Sequence, residues 1–286
     1  MKVLCIGANG WIGSQILKLL EAEGIECFIS KSHIDKYSQI GFELDLIKPT
    51  HVLLTAGKTG VPNVDWCETH KHETLETNTI GTAVVFSECE RRKIHCTYLG
   101  TGCIYEYTKE QTPTDKGFSE LDEPNFTGSY YSKTRKITDL IAEQYPNTVL
   151  CLRMRMPISS DLNPKSFVTK ITKYEKVVNV QNSMSILDDL LPCIPQMMIK
   201  FVTGIYNFCN PDTLSHNDIL DLYIKYVDPN FKYTNFTIEE QSLILKAPRS
   251  NCKLDCSKLL SVFPNIPSAK DSIHSVFKKM ACSLEK

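Results

Sequence analysis

Three sets of residues in this chain of 286 have the types and spacing to do chemistry. Tyr131 and Arg135 sit in YYSKTR, one helical turn apart if that segment is a helix. Four residues turn about 400°, which puts Arg135 within about 40° of the Tyr131 face, whereas Lys133 lies about 200° round and cannot reach it. A cation beside a phenol favours the phenolate, and so suits Tyr131 to donating a proton. Thr101, at the end of the run HCTYLGT, adds a hydroxyl able to hold the same acceptor. A phenol, a cation and a hydroxyl together can protonate a carbonyl oxygen beside a hydride donor. The third set is Gly7, Gly10 and Gly13 in GANGWIG, with Trp11 and Ile12 between the last two. Glycines there allow a tight turn and close backbone approach, and the N–H groups of a following helix would face a pyrophosphate.

These groups need elements to position them. KVLCIGANGWIGSQILKLLEAEGIECFIS reads as strand, glycine turn, helix, strand, because Val3 to Ile6 and Ile25 to Ile29 are short apolar runs while Ile12, Ile16, Leu19 and Leu20 recur at helical spacing. HVLLTAG, helices over Glu68 to Asn78 and Gly81 to Arg92, and HCTYLGT continue the alternation. A helix over Tyr130 to Gln144 and the strand TVLCLRMRMP follow. The expectation is an α/β protein with a Rossmann-type, doubly wound parallel sheet and a smaller C-terminal substrate lobe. Its strands are continuously apolar because such sheets are buried on both faces. The dinucleotide-binding part is placed at residues 1–156 and the lobe at 157–286, with segments around 177–207 returning to the main sheet. The cleft between the parts is the expected site.

An acid at the end of the second strand would accept the ribose hydroxyls of NAD. The strand instead ends FISKS, and Ser30 and Lys31 suit a 2′-phosphate, so NADPH is favoured over NADH. Composition excludes other classes of partner. With 32 Lys and Arg against 33 Asp and Glu, the net charge of −1 argues against nucleic acid or a membrane surface. No apolar run is long enough to span a bilayer and no leader is evident, so a cytoplasmic protein is expected. The 12 cysteines include no CxxC pair and read as reduced core thiols, with no metal site.

The order of GANGWIG, TAG, LGTGC, YSKTR and LRMRMP resembles extended short-chain dehydrogenases related to the dTDP-4-dehydrorhamnose reductases. GVPNVDWCETHK, TGCIYEY, PNFTGSYYSKTR, RMPISSDLNP, SFVTKITKYEKVVNVQNSMSILDDLLP and NPDTLSHNDIL resemble more narrowly the UDP-4-keto-6-deoxy-glucose 3,5-epimerase/4-reductases, including the C-terminal half of plant rhamnose synthases. The resemblance implies an NADPH-dependent enzyme that epimerises UDP-4-keto-6-deoxy-D-glucose at carbons 3 and 5 and reduces carbon 4, giving UDP-L-rhamnose. It implies Cys103 and Lys170 as the epimerising acid and base, Ala56, Gly57 and Asn78 as cofactor contacts, and Asn63, Asn125 and Asn182 as substrate-side contacts. Thr101, Cys103 and Lys170 would also touch the sugar. A separate 4,6-dehydratase would supply the substrate, and a homodimer stays open. One departure stands out: the family pattern YxxxK has arginine here, at Arg135, and arginine keeps the charge but does not deprotonate. Two rival readings are a single-function 4-keto reductase and a non-catalytic regulatory subunit.

Overall fold

The computed structural model describes residues 1–284. The chain begins β1 (Lys2–Ile6), α1 (Trp11–Ala22), β2 (Glu26–Ile29), α2 (Tyr37–Ile47) and β3 (His51–Leu54). Next come α3 (Trp66–Thr69), α4 (Lys71–Leu75), a π-helical segment Glu76–Gly81, α5 (Thr82–Arg92), β4 (His95–Thr101), α6 (Tyr130–Glu143) and β5 (Val149–Met154). The rest comprises α7 (Phe167–Ile171), β6 (Lys176–Val177), α8 (Leu187–Leu190), α9 (Cys193–Ile199), β7 (Gly204–Asn207), α10 (His216–Tyr226), β8 (Thr234–Asn235), α11 (Ile238–Ile244), α12 (Ser257–Val262) and α13 (Ala269–Leu284).

The main sheet has the order β2-β1-β3-β4-β5-β7. β1 pairs in parallel with both β2 and β3, and β3 with β4. Every residue of β3, β4 and β5 is buried, as expected of strands covered on both faces. One apolar cluster joins Leu4, Ile6, Val52 and Leu54 of the sheet to Ile40 and Leu44 of α2 and Val85 and Phe86 of α5. Each such side chain contributes roughly 1.5–3 kcal/mol of burial, enough to hold the strand ends in register. The strand order reverses between β2 and β3, on either side of β1, and ligands of such sheets bind at the carboxyl ends beside that reversal.

The helix expected over Glu68 to Asn78 is instead broken at His70 and then widened into the π-helical segment. A π turn adds a residue to the ladder and re-aims what it carries, here the fully buried Asn78. Periodicity cannot announce this, since one inserted residue leaves the apolar pattern on either side intact.

At the opposite end of the sheet His51 and His95 face each other as register partners of β3 and β4. Their Nε2 atoms lie 3.0 Å from the Met198 carbonyl and 2.7 Å from the Val202 carbonyl. Burial, with His95 adding to it, pushes the His51 imidazole from 6.5 down to about 4, and burial lowers His95 too. Both are depressed in the folded state, so their contribution is fully present above pH 6.5 and is lost as the pH falls towards 4. Urea unfolding is therefore expected to lose at least about 1 kcal/mol of stability between about pH 7 and about pH 5. A flat profile there contradicts neutral buried histidines.

Residues 1–104, 124–153 and 191–206 pack as one unit, and residues 105–123, 154–190 and from 207 onward as a second. Within the second, Ile158, Val168, Ile171, Ile219, Leu220, Ile273 and Phe277 form an apolar core under α7, α10 and α13. β6 and β8 pair as a two-stranded sheet. Capping boxes, Ser215 with Asp218 and Thr237 with Glu240, start α10 and α11. Among the described residues no helix is long and apolar enough to cross a membrane, and no cysteine is bonded to another.

Candidate active site

The glycine turn follows β1 and runs into the first turn of α1, whose third residue is Gly13. Gly7 has φ +88°, and a Cβ there would lie 2.5 Å from the Ala56 nitrogen. One at Gly13 would lie 2.6 Å from Thr55 Oγ1 and 2.7 Å from the Gly7 carbonyl. The turn therefore lies directly against the segment after β3, which only glycine permits at these two positions. Gly10 occupies the cap of α1 and offers no side chain to the first-turn amides of Trp11, Ile12 and Gly13. A helix start left uncapped at a strand end suits an anionic ligand, and these residues fit the pyrophosphate of a dinucleotide.

Ala56 and Gly57 continue from β3. A Cβ on Gly57 would lie 3.1 Å from Arg135 Nη2, so the missing side chain makes room for the guanidinium. Asn78 reaches across from the π-helical segment: Lys58 N–H donates to its Oδ1 at 2.8 Å, and its Nδ2 donates to the Lys58 carbonyl at 2.9 Å. Thr138 of α6 donates to the Asn78 carbonyl at 2.6 Å, and Thr79 to the Thr134 carbonyl at 3.0 Å. These bonds fasten the loop after β3, the π-helical segment and α6 together.

α6 is capped by Ser129, whose hydroxyl accepts from the Ser132 N–H, while Glu68 accepts from the Tyr130 N–H at 2.6 Å. An acid at a helix N-terminus is favourable, and here it anchors the first turn, which carries Tyr131. Both Tyr131 and Arg135 are buried. Arg135 Nε donates to the Tyr131 oxygen at 3.4 Å, so the turn predicted from spacing does bring them together. Arg135 Nη1 also donates to the Tyr98 hydroxyl at 2.5 Å, and Nη2 reaches the Leu99 carbonyl at 3.5 Å. Burial opposes the Arg135 charge, but Tyr98 and Tyr131 more than offset it and raise its pKa above the ordinary arginine value. Burial pushes the Tyr98 hydroxyl well above the ordinary tyrosine range, so it stays a neutral acceptor for the cation.

Thr101 ends β4 and is buried, and its oxygen accepts the Cys103 N–H at 3.1 Å. That contact leaves the hydroxyl proton of Thr101 to be donated elsewhere. Cys103 is half-buried. Asn63 and Asn125, expected on the substrate side, both belong to the first unit. Asn63 Oδ1 accepts from the Asp65 N–H at 2.9 Å, and Asn125 is exposed.

Lys170 and Asn182 belong to the second unit. Lys170 lies on α7, half-buried, and burial, followed by the neighbouring Lys165, lowers its pKa from the ordinary 10.5. Asn182 turns inward and is fully buried. It accepts from Arg155 and from the Cys252 N–H, and donates to Asn251 and to the Val180 carbonyl. Its amide is thus engaged on both sides inside the lobe. The same unit holds a cavity of about 270 Å³ lined by Tyr107, Val180, Ile238, Leu245, Arg249 and Asn251 among others.

Ser30 and Lys31 follow β2, as read from sequence, but their donors are engaged by a residue that reading missed. The Glu43 carboxylate on α2 accepts from Ser30 Oγ, the Lys31 N–H and Ser32 Oγ. Tyr98 was missed as well, because the run HCTYLGT reads only as an apolar strand. Tyr98→Phe leaves a buried guanidinium N–H unpaired and is expected to cost about 1–3 kcal/mol in urea unfolding. Combined with Arg135→Lys it should cost less than the sum of the two single changes, by about 0.5–3 kcal/mol of coupling. Strict additivity contradicts the pair.

Residues 3–174 match the NAD dependent epimerase/dehydratase family. The chain belongs to that family. It is 47% identical, over 94% of its length and 90% of the relative's, to the bifunctional dTDP-4-dehydrorhamnose 3,5-epimerase/dTDP-4-dehydrorhamnose reductase of Arabidopsis thaliana. It is 46% identical to the plant's trifunctional UDP-glucose 4,6-dehydratase/UDP-4-keto-6-deoxy-D-glucose 3,5-epimerase/UDP-4-keto-L-rhamnose-reductase RHM1. There the match takes 96% of this chain but spans only 41% of the relative. Among solved structures, the L780 UDP-rhamnose synthase of Acanthamoeba polyphaga mimivirus superposes with a TM-score of 0.94 at 40% identity, over 98% of this chain and 99% of that one. The Rossmann-type sheet of this epimerase/dehydratase family member is the fold expected from its strand pattern.

Proposed function

We propose that this family member converts UDP-4-keto-6-deoxy-D-glucose to UDP-L-rhamnose by 3,5-epimerisation and NADPH-dependent reduction of the 4-keto group. The observation that carries the reading is the 47% identity, along nearly the whole chain, to a relative named for both activities. Thr101, Cys103, Tyr131 and Arg135 are the chemical groups such activities need. UDP is chosen over dTDP on the names of the trifunctional and viral relatives.

The glycine turn, Ala56 and Gly57 would hold the dinucleotide, with Arg135 beside them and Asn78 fastening the loop that carries them. When bound, NADPH supplies the hydride for carbon 4. Tyr131 gives its proton to the carbon 4 oxygen, and the Thr101 hydroxyl donates to that same oxygen. Epimerisation comes first. A proton on carbon 3 or 5 is acidified by the neighbouring carbonyl, and inversion needs one group to take it and another to return one from the opposite face. Cys103 and Lys170 are assigned these roles. The lowered pKa of Lys170 makes its neutral, basic form easier to populate. Negative charge that develops on the carbon 4 oxygen is held by Thr101 and Tyr131, the arrangement of an oxyanion hole.

A 4,6-dehydratase must make the keto sugar, and the trifunctional relatives carry that activity by name. The test is to give the purified protein the keto sugar and NADPH with no other enzyme and identify the product. UDP-L-rhamnose supports the reading. An unepimerised UDP-6-deoxy-hexose identifies a plain 4-keto reductase, and no oxidation of NADPH identifies a non-catalytic chain.

A further inference from the structure

The end of β2 offers hydroxyls and a lysine instead of an acid, which suits a 2′-phosphate. The structure supplies an acid from elsewhere. Glu43 lies on α2, one helix beyond the loop, and its two carboxylate oxygens gather three consecutive residues. One oxygen accepts from Ser30 Oγ at 2.6 Å, and the other from the Lys31 N–H at 3.0 Å and Ser32 Oγ at 2.9 Å. Two hydroxyls and a backbone N–H converging on one anion are the kind of donors a phosphate monoester takes. The Lys31 side chain is exposed beside these donors.

We propose that Glu43 is the chain's own anion in the 2′-phosphate subsite and sets its preference between phosphorylated and unphosphorylated nicotinamide cofactors. This rests on the reading of the glycine turn as a dinucleotide site and deepens it. A cofactor with a free 2′-hydroxyl can bind with the Glu43 contacts intact. A 2′-phosphate needs the same donors, so it must push the carboxylate aside and then tolerate it as a neighbouring negative charge. Lys31 favours the phosphate and Glu43 opposes it, and their balance leaves the protein with a weaker NADPH preference than its lysine and serines alone would give.

The test compares two adenosine probes that lack the nicotinamide, 2′,5′-ADP and 5′-AMP, binding to the full-length protein by calorimetry. Glu43→Gln is expected to tighten 2′,5′-ADP about tenfold and to change 5′-AMP less than about twofold. The gain should shrink as salt is raised from about 0.05 M to about 0.5 M, because a partly exposed charge is being removed. Glu43→Ser removes the same charge and serves if glutamine distorts the loop. Steady-state NADPH/NADH selectivity should move by the same factor. Equal changes for both probes, or loss of 5′-AMP affinity with 2′,5′-ADP unchanged, overturn the proposal: the first makes Glu43 a loop scaffold, the second an acceptor for ribose hydroxyls. Wild-type protein that binds neither probe overturns the dinucleotide reading itself.

Discussion

Tyr131→Phe is expected to lower NADPH-dependent reduction of the keto sugar by roughly two to four orders of magnitude, the usual contribution of a positioned general acid. Cofactor affinity should hardly change, since the glycine turn, Gly57 and Asn78 are untouched. In the proposed mechanism Tyr131 also shares the carbon 4 oxygen with Thr101 during epimerisation. Deuterium uptake from solvent should therefore slow only by about tenfold, the worth of one neutral hydrogen bond. The split separates the two activities: disappearance of reduced nicotinamide stops while exchange at carbons 3 and 5 continues. A variant that loses both equally contradicts the assignment of the phenol as the acid of the reductive step. Arg135 bears on the same step differently from a lysine. Its guanidinium, held by Tyr98 and Leu99, stays charged throughout and can orient Tyr131 without carrying a proton.

Cys103→Ser and Lys170→Met are each expected to abolish solvent deuterium incorporation while NADPH still binds. Reduction of carbon 4 should persist in both and yield the unepimerised 6-deoxy sugar. The lysine adds a pH signature. Its pKa is lowered from 10.5, and as a base it works when neutral, so exchange should rise with pH along a limb lying below the ordinary lysine range. That limb should vanish in Lys170→Met, which keeps the stem and removes the amine. Undiminished exchange in both variants, measured by NMR, contradicts the roles given to the thiol and the amine.

What could be read in the sequence is what depends on neighbours along the chain. The glycine turn needs only a strand, three spaced glycines and a helix, and Tyr131 with Arg135 needs only one helical turn. What was hidden depends on residues that meet through the sheet. Tyr98 and Arg135 are 37 positions apart and meet because α6 lies beside β4. Glu43 is 13 positions from Ser30, and no local pattern ties them. Lys170 reads as a surface lysine on a five-residue helix, and only packing lowers its pKa. Asn182 is a different case: an amide in a recognisable string suggests a ligand contact, and the partners that burial brings to it come from distant strings the sequence does not tie to it.

The claim that one chain performs both proton exchange and hydride transfer is tested most directly in heavy water. Purified protein, UDP-4-keto-6-deoxy-D-glucose and NADPH are mixed in D₂O, and the product is characterised by NMR. The expected result is UDP-L-rhamnose carrying deuterium at carbons 3 and 5 and ordinary hydrogen at carbon 4. A reduced sugar with protium at all three carbons and its original configuration contradicts the account.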